Sequence, residues 1–272
     1  MQPGDAIAAE RGQFAIAMQF EFGNGTEALK RPLLTAALLC AGAILANAAS
    51  FIFGIGWLTP FLGAAVPYPL FLQQVRRSRY ASALGWMLVW AVFHSVATIV
   101  ATGIAPAQAA AAIPSGPPYV EEMFHWIRTG EGAEGSLALF LPIHLKHYIL
   151  FCLLSLVTAS SAALVLGTWM LDYMNFYVAQ LMQASVSPWL AALVGWPLWS
   201  YLRVIGFITT GIALTVPAIN LLARIQRRAS TQSFPWQVLG VGIGFVLADI
   251  VVKATVAPFW RQWLLQALDG VA

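Results

Sequence analysis

The chain has 272 residues, 60% of them hydrophobic, with 14 basic and 11 acidic side chains, a net charge of +3 and a mean hydropathy of +0.75. Charged residues make up 9%, against about a quarter in soluble globular domains, so the ionic surface is too sparse for a water-soluble fold. Disorder, a collagen-like chain and a disulfide framework are excluded too, since Cys40 and Cys152, the only cysteines, both lie in apolar runs.

Residues 1–32 carry Asp5, Glu10, Glu21 and Glu27 and lack the positive start of a signal peptide. Phe14, Met18 and Phe20 suit an amphipathic segment resting on the inner leaflet. A spanning helix needs about 20 apolar residues to cross roughly 30 Å of hydrocarbon. Stretches 33–75, 82–104, 148–168 and 236–257 meet that length, and 173–222 meets it with a more polar composition. The first is too long for one helix, and Gly54-Ile55-Gly56-Trp57-Leu58-Thr59-Pro60 marks a turn that divides it into 33–53 and 57–75. A re-entrant hairpin there would preserve the same parity.

Direction follows from the basic residues, which accumulate on cytoplasmic flanks. Lys30-Arg31, Arg76-Arg77-Arg79 and Arg224-Arg227-Arg228 hold eight of the fourteen. With all three on one side, an even number of crossings separates each pair. Region 173–222 must then cross twice, as 173–195 and 199–221, turning at Gly195-Trp196-Pro197. The expected architecture is an all-α polytopic bundle of about seven transmembrane helices over 33–257, N-terminus in and C-terminus out. An outer connection spans 105–141, and a short tail spans 258–272. The charge bias points to a prokaryotic cytoplasmic membrane.

Ser155, Ala159, Ala163 and Gly167 recur every four residues, and Gly240 and Gly244 repeat the spacing. Small faces let helix backbones approach closely in lipid. Packing within the bundle is the first expectation, and a homo-oligomer or protein partner the second. Trp196, Trp199 and Tyr201 suit an outer aromatic belt.

In the outer connection, Pro118 precedes Val120, Met123, Phe124 and Ile127 at helical spacing, and Gly130 closes the pattern. The other face carries Glu121, His125 and Arg128. This amphipathic helix is expected in the outer interface with its polar face to water; the alternative turns that face over a cavity. A further helix begins at Pro142 and places His144 and His147 on one face. Glu122 and His125 have the Glu-x-x-His spacing of carboxylate-bridged metal sites. Two histidines with Glu122 or His125 would suit a divalent metal such as zinc, with Glu121 and Glu122 as candidate catalytic carboxylates. The plainer reading is a pair of interfacial histidines.

Glu121-Glu122 followed by Phe140-x-x-x-His144 resembles the first two motifs of the CAAX-type intramembrane proteases. The pattern departs from that family at three points. The arginine is displaced to Arg128, no third His-x-x-x-Asn/Asp motif follows His147, and the two motifs leave no room for helices between them. No membership is drawn from it.

Ionisable groups at membrane depth face the bundle interior and find partners. Here they are His94, Asp172, Arg203, Asp249 and Lys253. Asp249 and Lys253 stand four apart and can neutralise each other, and Arg203 at similar depth can pair with Asp249. Asp172 opens a stripe with Asn175, Ala179, Gln183 and Ser187 that either lines a hydrated path or faces the core. The leading reading is a non-enzymatic accessory, scaffold or transport-related membrane component, with transport running through His94, Asp172, Asn175, Arg203 and Asp249. The alternative is a metal- or glutamate-dependent intramembrane hydrolase working at the outer face. The basic clusters match membrane topology and call for lipid, with no nucleic acid.

Overall fold

The computed structural model describes residues 25–227 and 232–270, with side chains from residue 32 onward. Phe14, Met18, Phe20 and Arg228 lie outside the described residues. The chain falls into two compact units, Met1–Leu38 and Leu39–Ala272. Among the described residues every element is a helix. The first six are α1 (Gly25–Phe53), α2 (Leu58–Ala65), α3 (Tyr68–Arg76), α4 (Tyr80–Ile104), α5 (Pro106–Ala112) and α6 (Gly116–Thr129). The other five are α7 (Leu137–Thr158), α8 (Ser161–Ala184), α9 (Pro188–Val194), α10 (Leu198–Ile225) and α11 (Trp236–Asp269).

Five of them are long and apolar enough to cross a membrane: Pro32–Phe53 within α1, then α4, α7, α10 and α11. Their outer faces carry exposed Val92, Val96, Val100, Leu153, Val157, Leu247 and Val251. Apolar surface on that scale is tolerated in lipid and not in water. α10 is the central element, with 67% of its apolar window buried, whereas α7 at 17% is peripheral.

Local chemistry explains the breaks. Gly54, with φ +62, ends α1 in a left-handed conformation that glycine takes without strain. The stretch expected as one helix at 57–75 is two pieces, because Pro67 has no N–H to continue α2 and instead starts α3. The run expected as one span at 148–168 is interrupted at Ala159 and Ser160, both left-handed. Ser160 Oγ donates to the Gly211 carbonyl at 3.1 Å and shares a 2.6 Å hydrogen bond with the Thr215 hydroxyl. Those tertiary bonds on α10 hold a turn that contains neither glycine nor proline. α7 therefore starts at Leu137, and α8 covers 161–184 in place of the helix expected over 173–195.

The small-residue repeat is divided by that turn: Ser155 stands on α7, Ala163 and Gly167 on α8. The close crossing of α10 on α11 uses Gly206 and Gly242 instead. A Cβ on Gly242 would lie 2.8 Å from the Thr210 backbone nitrogen, while Gly240 and Gly244 face open space. The final helix also runs through Pro258 to Asp269, so most of the stretch expected as a tail is helical.

Two ends can be distinguished. At one, Gln232 donates its side-chain amide to the Arg76 carbonyl at 2.5 Å, and Asn220 and Gln232 hydrogen-bond reciprocally. The Arg76–Arg79 turn and the Arg224–Arg227 end of α10 thus lie together. α4 leaves that end and rises about 37 Å over its 25 residues, so the 105–136 connection lies at the opposite end.

There α6 is present as expected, started by Pro117 and Pro118 and stopped by Gly130 at φ +82. Met123, Trp126 and Ile127 are buried with Tyr177 and Leu181 of α8 and Leu264 and Leu268 of α11. Arg261 of α11 caps its last turn, Nε donating to the Ile127 carbonyl at 2.8 Å and Nη2 to the Arg128 carbonyl at 2.8 Å. Trp199, expected in an outer belt, is instead buried in this same cluster, 6.0 Å from the Trp260 ring; Tyr201 is exposed.

Candidate functional site

Beside α6 lies a cavity of about 400 Å³, walled by the 114–134 connection, α7, α8 and α10. Glu122 and Glu134 come to it from the connection, His144 and His147 from α7, and Arg203 from α10. Tyr119, Phe140, Trp169 and Tyr173 supply aromatic surface. Ser115 accepts the Trp169 indole N–H at 3.2 Å and fixes that ring. Tyr119 and Tyr173 meet at 4.7 Å between centroids, and Trp169 meets Tyr173 edge-on at 5.1 Å.

The site merges residues that the sequence separated into two alternatives. His144 and Arg203, one from the outer group and one from the interior line, share the carboxylate of Asp249. Arg203 donates Nε to Oδ2 at 3.0 Å and Nη2 to Oδ1 at 3.2 Å, and His144 Nε2 stands 3.4 Å from Oδ2. Such a forked pair is the strong form of a charge-assisted bond. Lys253 pairs with Glu134 at 2.8 Å and not with Asp249, contrary to the four-residue spacing. The reason is tertiary: the 130–136 loop brings Glu134 alongside α11, and the Lys253 ammonium sits 3.4 Å above the Phe140 ring.

The helix α6 divides its polar residues. Glu121, His125 and Arg128 are exposed. Glu122, one helical turn after Tyr119, faces the cavity mouth. It is exposed by area, yet its carboxyl is partly shielded by the wall; burial first, and the nearby Glu134 second, raise its pKa above the usual carboxylate range. Tyr119 is held far more strongly towards its neutral phenol, again by burial and then by Glu134. Among the described residues no three His, Cys, Asp or Glu side chains converge as a metal-binding group. His125 in particular does not join His144 and His147.

The remaining interior residues form a separate seam between α4 and α8. His94 Nε2 and Asp172 Oδ1 are 2.7 Å apart and fully buried, and Asn175 donates to the Ser95 hydroxyl at 3.2 Å. Thr98 donates to Asn47 Oδ1 of α1 at 3.0 Å. The Asp172 stripe therefore faces a neighbouring helix as far as Gln183, which contacts the Gly103 carbonyl, while Ser187 lies beyond the end of α8.

A second, apolar cleft of about 80 Å³ adjoins the cavity through the shared walls Tyr119, Met170, Tyr173 and Arg203. Gly167 lines it, and a Cβ there would meet only Phe151, at 3.9 Å. Reading the sequence alone left out Glu134, Tyr119, Trp169 and Tyr173. Two signals pointed to parts of the wall: Tyr119 precedes Glu122 by one turn of the same helix, and Phe140 precedes His144 by one turn of the next. The chain matches no family model, and comparisons with curated proteins and with solved structures found no match.

Proposed function

We propose that this is a transport-related, non-enzymatic membrane component that receives a small polar ligand in the cavity between α6, α7, α8 and α10. One observation supports it above the others: acids, imidazoles and an arginine from separate elements converge on about 400 Å³ of space. A pure scaffold has no physical reason to keep polar groups around a void, since each costs several kcal/mol to hold away from water unless partnered. The bundle crosses seven times in this reading, as α1, α2 with α3, α4, α7, α8, α10 and α11. The arginine turns face the cytoplasm, so the N-terminus lies inside, and the cavity and C-terminus lie outside, in a prokaryotic cytoplasmic membrane. The shared location of the Arg76 and Arg224 ends supports that orientation.

Equilibrium dialysis of nanodisc-embedded protein against a panel of small anions, zwitterions and ammonium ions tests it. At least one class binds saturably, and that solute then crosses reconstituted vesicles in a saturable flux. No saturable binding by any class would return the protein to scaffolding. A second reading, hydrolysis at the outer face, draws support from the raised pKa of Glu122 beside His144 and His147, an arrangement suited to general acid–base work on a bound water. Saturable binding with turnover and no flux would favour it.

A further inference from the structure

We propose that the ligand class of this cavity is an organic ammonium ion, held by the aromatic wall and by the Glu122 carboxylate. The inference rests on the cavity reading above and narrows it. Charge accounting carries the first step. Arg203 is committed to Asp249 through two hydrogen bonds, and Lys253 to Glu134 through one. His144 stands 3.4 Å from the Asp249 carboxylate that Arg203 already holds, and an imidazole is mostly uncharged above its ordinary pKa of about 6.5. Glu122 has no ion-pair partner among the described residues, so the cavity carries one uncompensated negative charge at its mouth.

The wall carries the second step. Tyr119, Trp169 and Tyr173 form an unbroken run of ring contacts along one side of the cavity. Aromatic faces attract ammonium groups, most strongly where water is excluded, and grouped rings recognise quaternary ammonium in particular. The protein already contains an example of this chemistry. The Lys253 ammonium is held between the Phe140 ring at 3.4 Å and the Glu134 carboxylate at 2.8 Å. Glu122 with the adjacent rings offers the same combination of an aromatic wall and a carboxylate, with the ammonium left to be supplied from outside. An anion would instead meet Glu122 and find the guanidinium of Arg203 already neutralised.

Isothermal titration with choline, and with its neutral carbon isostere 3,3-dimethylbutan-1-ol, tests the assignment. The full chain is used in nanodiscs of phosphatidylglycerol, which carries no ammonium of its own. Choline is expected to bind at least about tenfold tighter than the isostere. Glu122→Gln weakens it about fivefold, and Tyr173→Leu about threefold to thirtyfold. Tyr173→Phe restores most of that loss, which a merely structural role of the phenol would not predict. Equal binding of choline and the isostere, or an unchanged affinity in Glu122→Gln, would overturn the ammonium assignment. Saturable binding of acetate without choline would overturn it too while leaving the cavity reading intact, and failure of every solute would remove both.

Discussion

Two polar regions at membrane depth use nearly the same residues to different ends. In the α4–α8 seam, His94 meets Asp172 at 2.7 Å with both side chains sealed from solvent. Around the cavity, His144 stands 3.4 Å from Asp249, whose carboxylate Arg203 also holds, and open space lies in front. The histidine–aspartate pair is common to both, so residue type does not distinguish a packing device from a site. Space does. In the seam the partners come from two helices packed against each other. At the cavity the 114–134 connection lies across α7, α8 and α10 and leaves about 400 Å³ of space between them.

The largest expected effect separates the two directly. Asp249→Ala strands the Arg203 guanidinium inside the bundle and should cost about 3–5 kcal/mol of stability, measured by denaturant titration in micelles. Asp172→Asn leaves His94 a neutral acceptor and should cost about 1–2 kcal/mol, with choline affinity unchanged. If Asp172→Asn weakened choline as much as Glu122→Gln, the seam and the cavity would be one system and the distinction would fail.

A smaller effect sharpens the cavity's description. Gly167→Leu points a side chain into the apolar cleft where a Cβ has open room. Stability should rise by up to about 1 kcal/mol, from helix propensity alone. Binding of alkyltrimethylammonium ions should tighten about fourfold per added methylene in the wild type. The gain should cease after about three carbons, on the scale by which an apolar cavity of about 150 Å³ holds benzene. In Gly167→Leu the series should be flat from the start.

The smallest effect is in pH. The Glu122 carboxyl titrates above its unfolded value, so the folded state binds the extra proton, and its contribution to stability is lost as pH rises through that window. Ammonium binding runs the opposite way, because it needs the carboxylate: affinity should grow as pH rises through the same window. Glu134, Lys253, Arg203, His144, His147, Tyr119 and Tyr173 all face this region and set the background. Glu122→Gln should remove both slopes, and a slope persisting in that variant would assign the titration to one of those neighbours.

Much of this arrangement was legible before any coordinates. Nine per cent charge and long apolar runs dictate a helical membrane protein, because a helix satisfies its own backbone in lipid over some 20 apolar residues, whereas barrel strands are short and alternate. Gly54, Pro118 and Gly130 mark real ends, and the Arg203–Asp249 pair follows from matching depth. Other features were hidden for physical reasons. The Ala159–Ser160 turn has no local signal, because Gly211 and Thr215 on another helix hold it. The same shortfall hid Glu134, whose partner Lys253 stands 119 residues away. Hydrophobic periodicity reports which face of a helix is buried and carries no information about which distant loop covers it. The sequence alone therefore determined the solvent the chain lives in and the identity of its costly charges. Which of those charges close on one another, and which are left facing a cavity, was decided only by tertiary packing, since one loop's position sets the partner of Lys253 and leaves Glu122 without an ion-pair partner among the described residues.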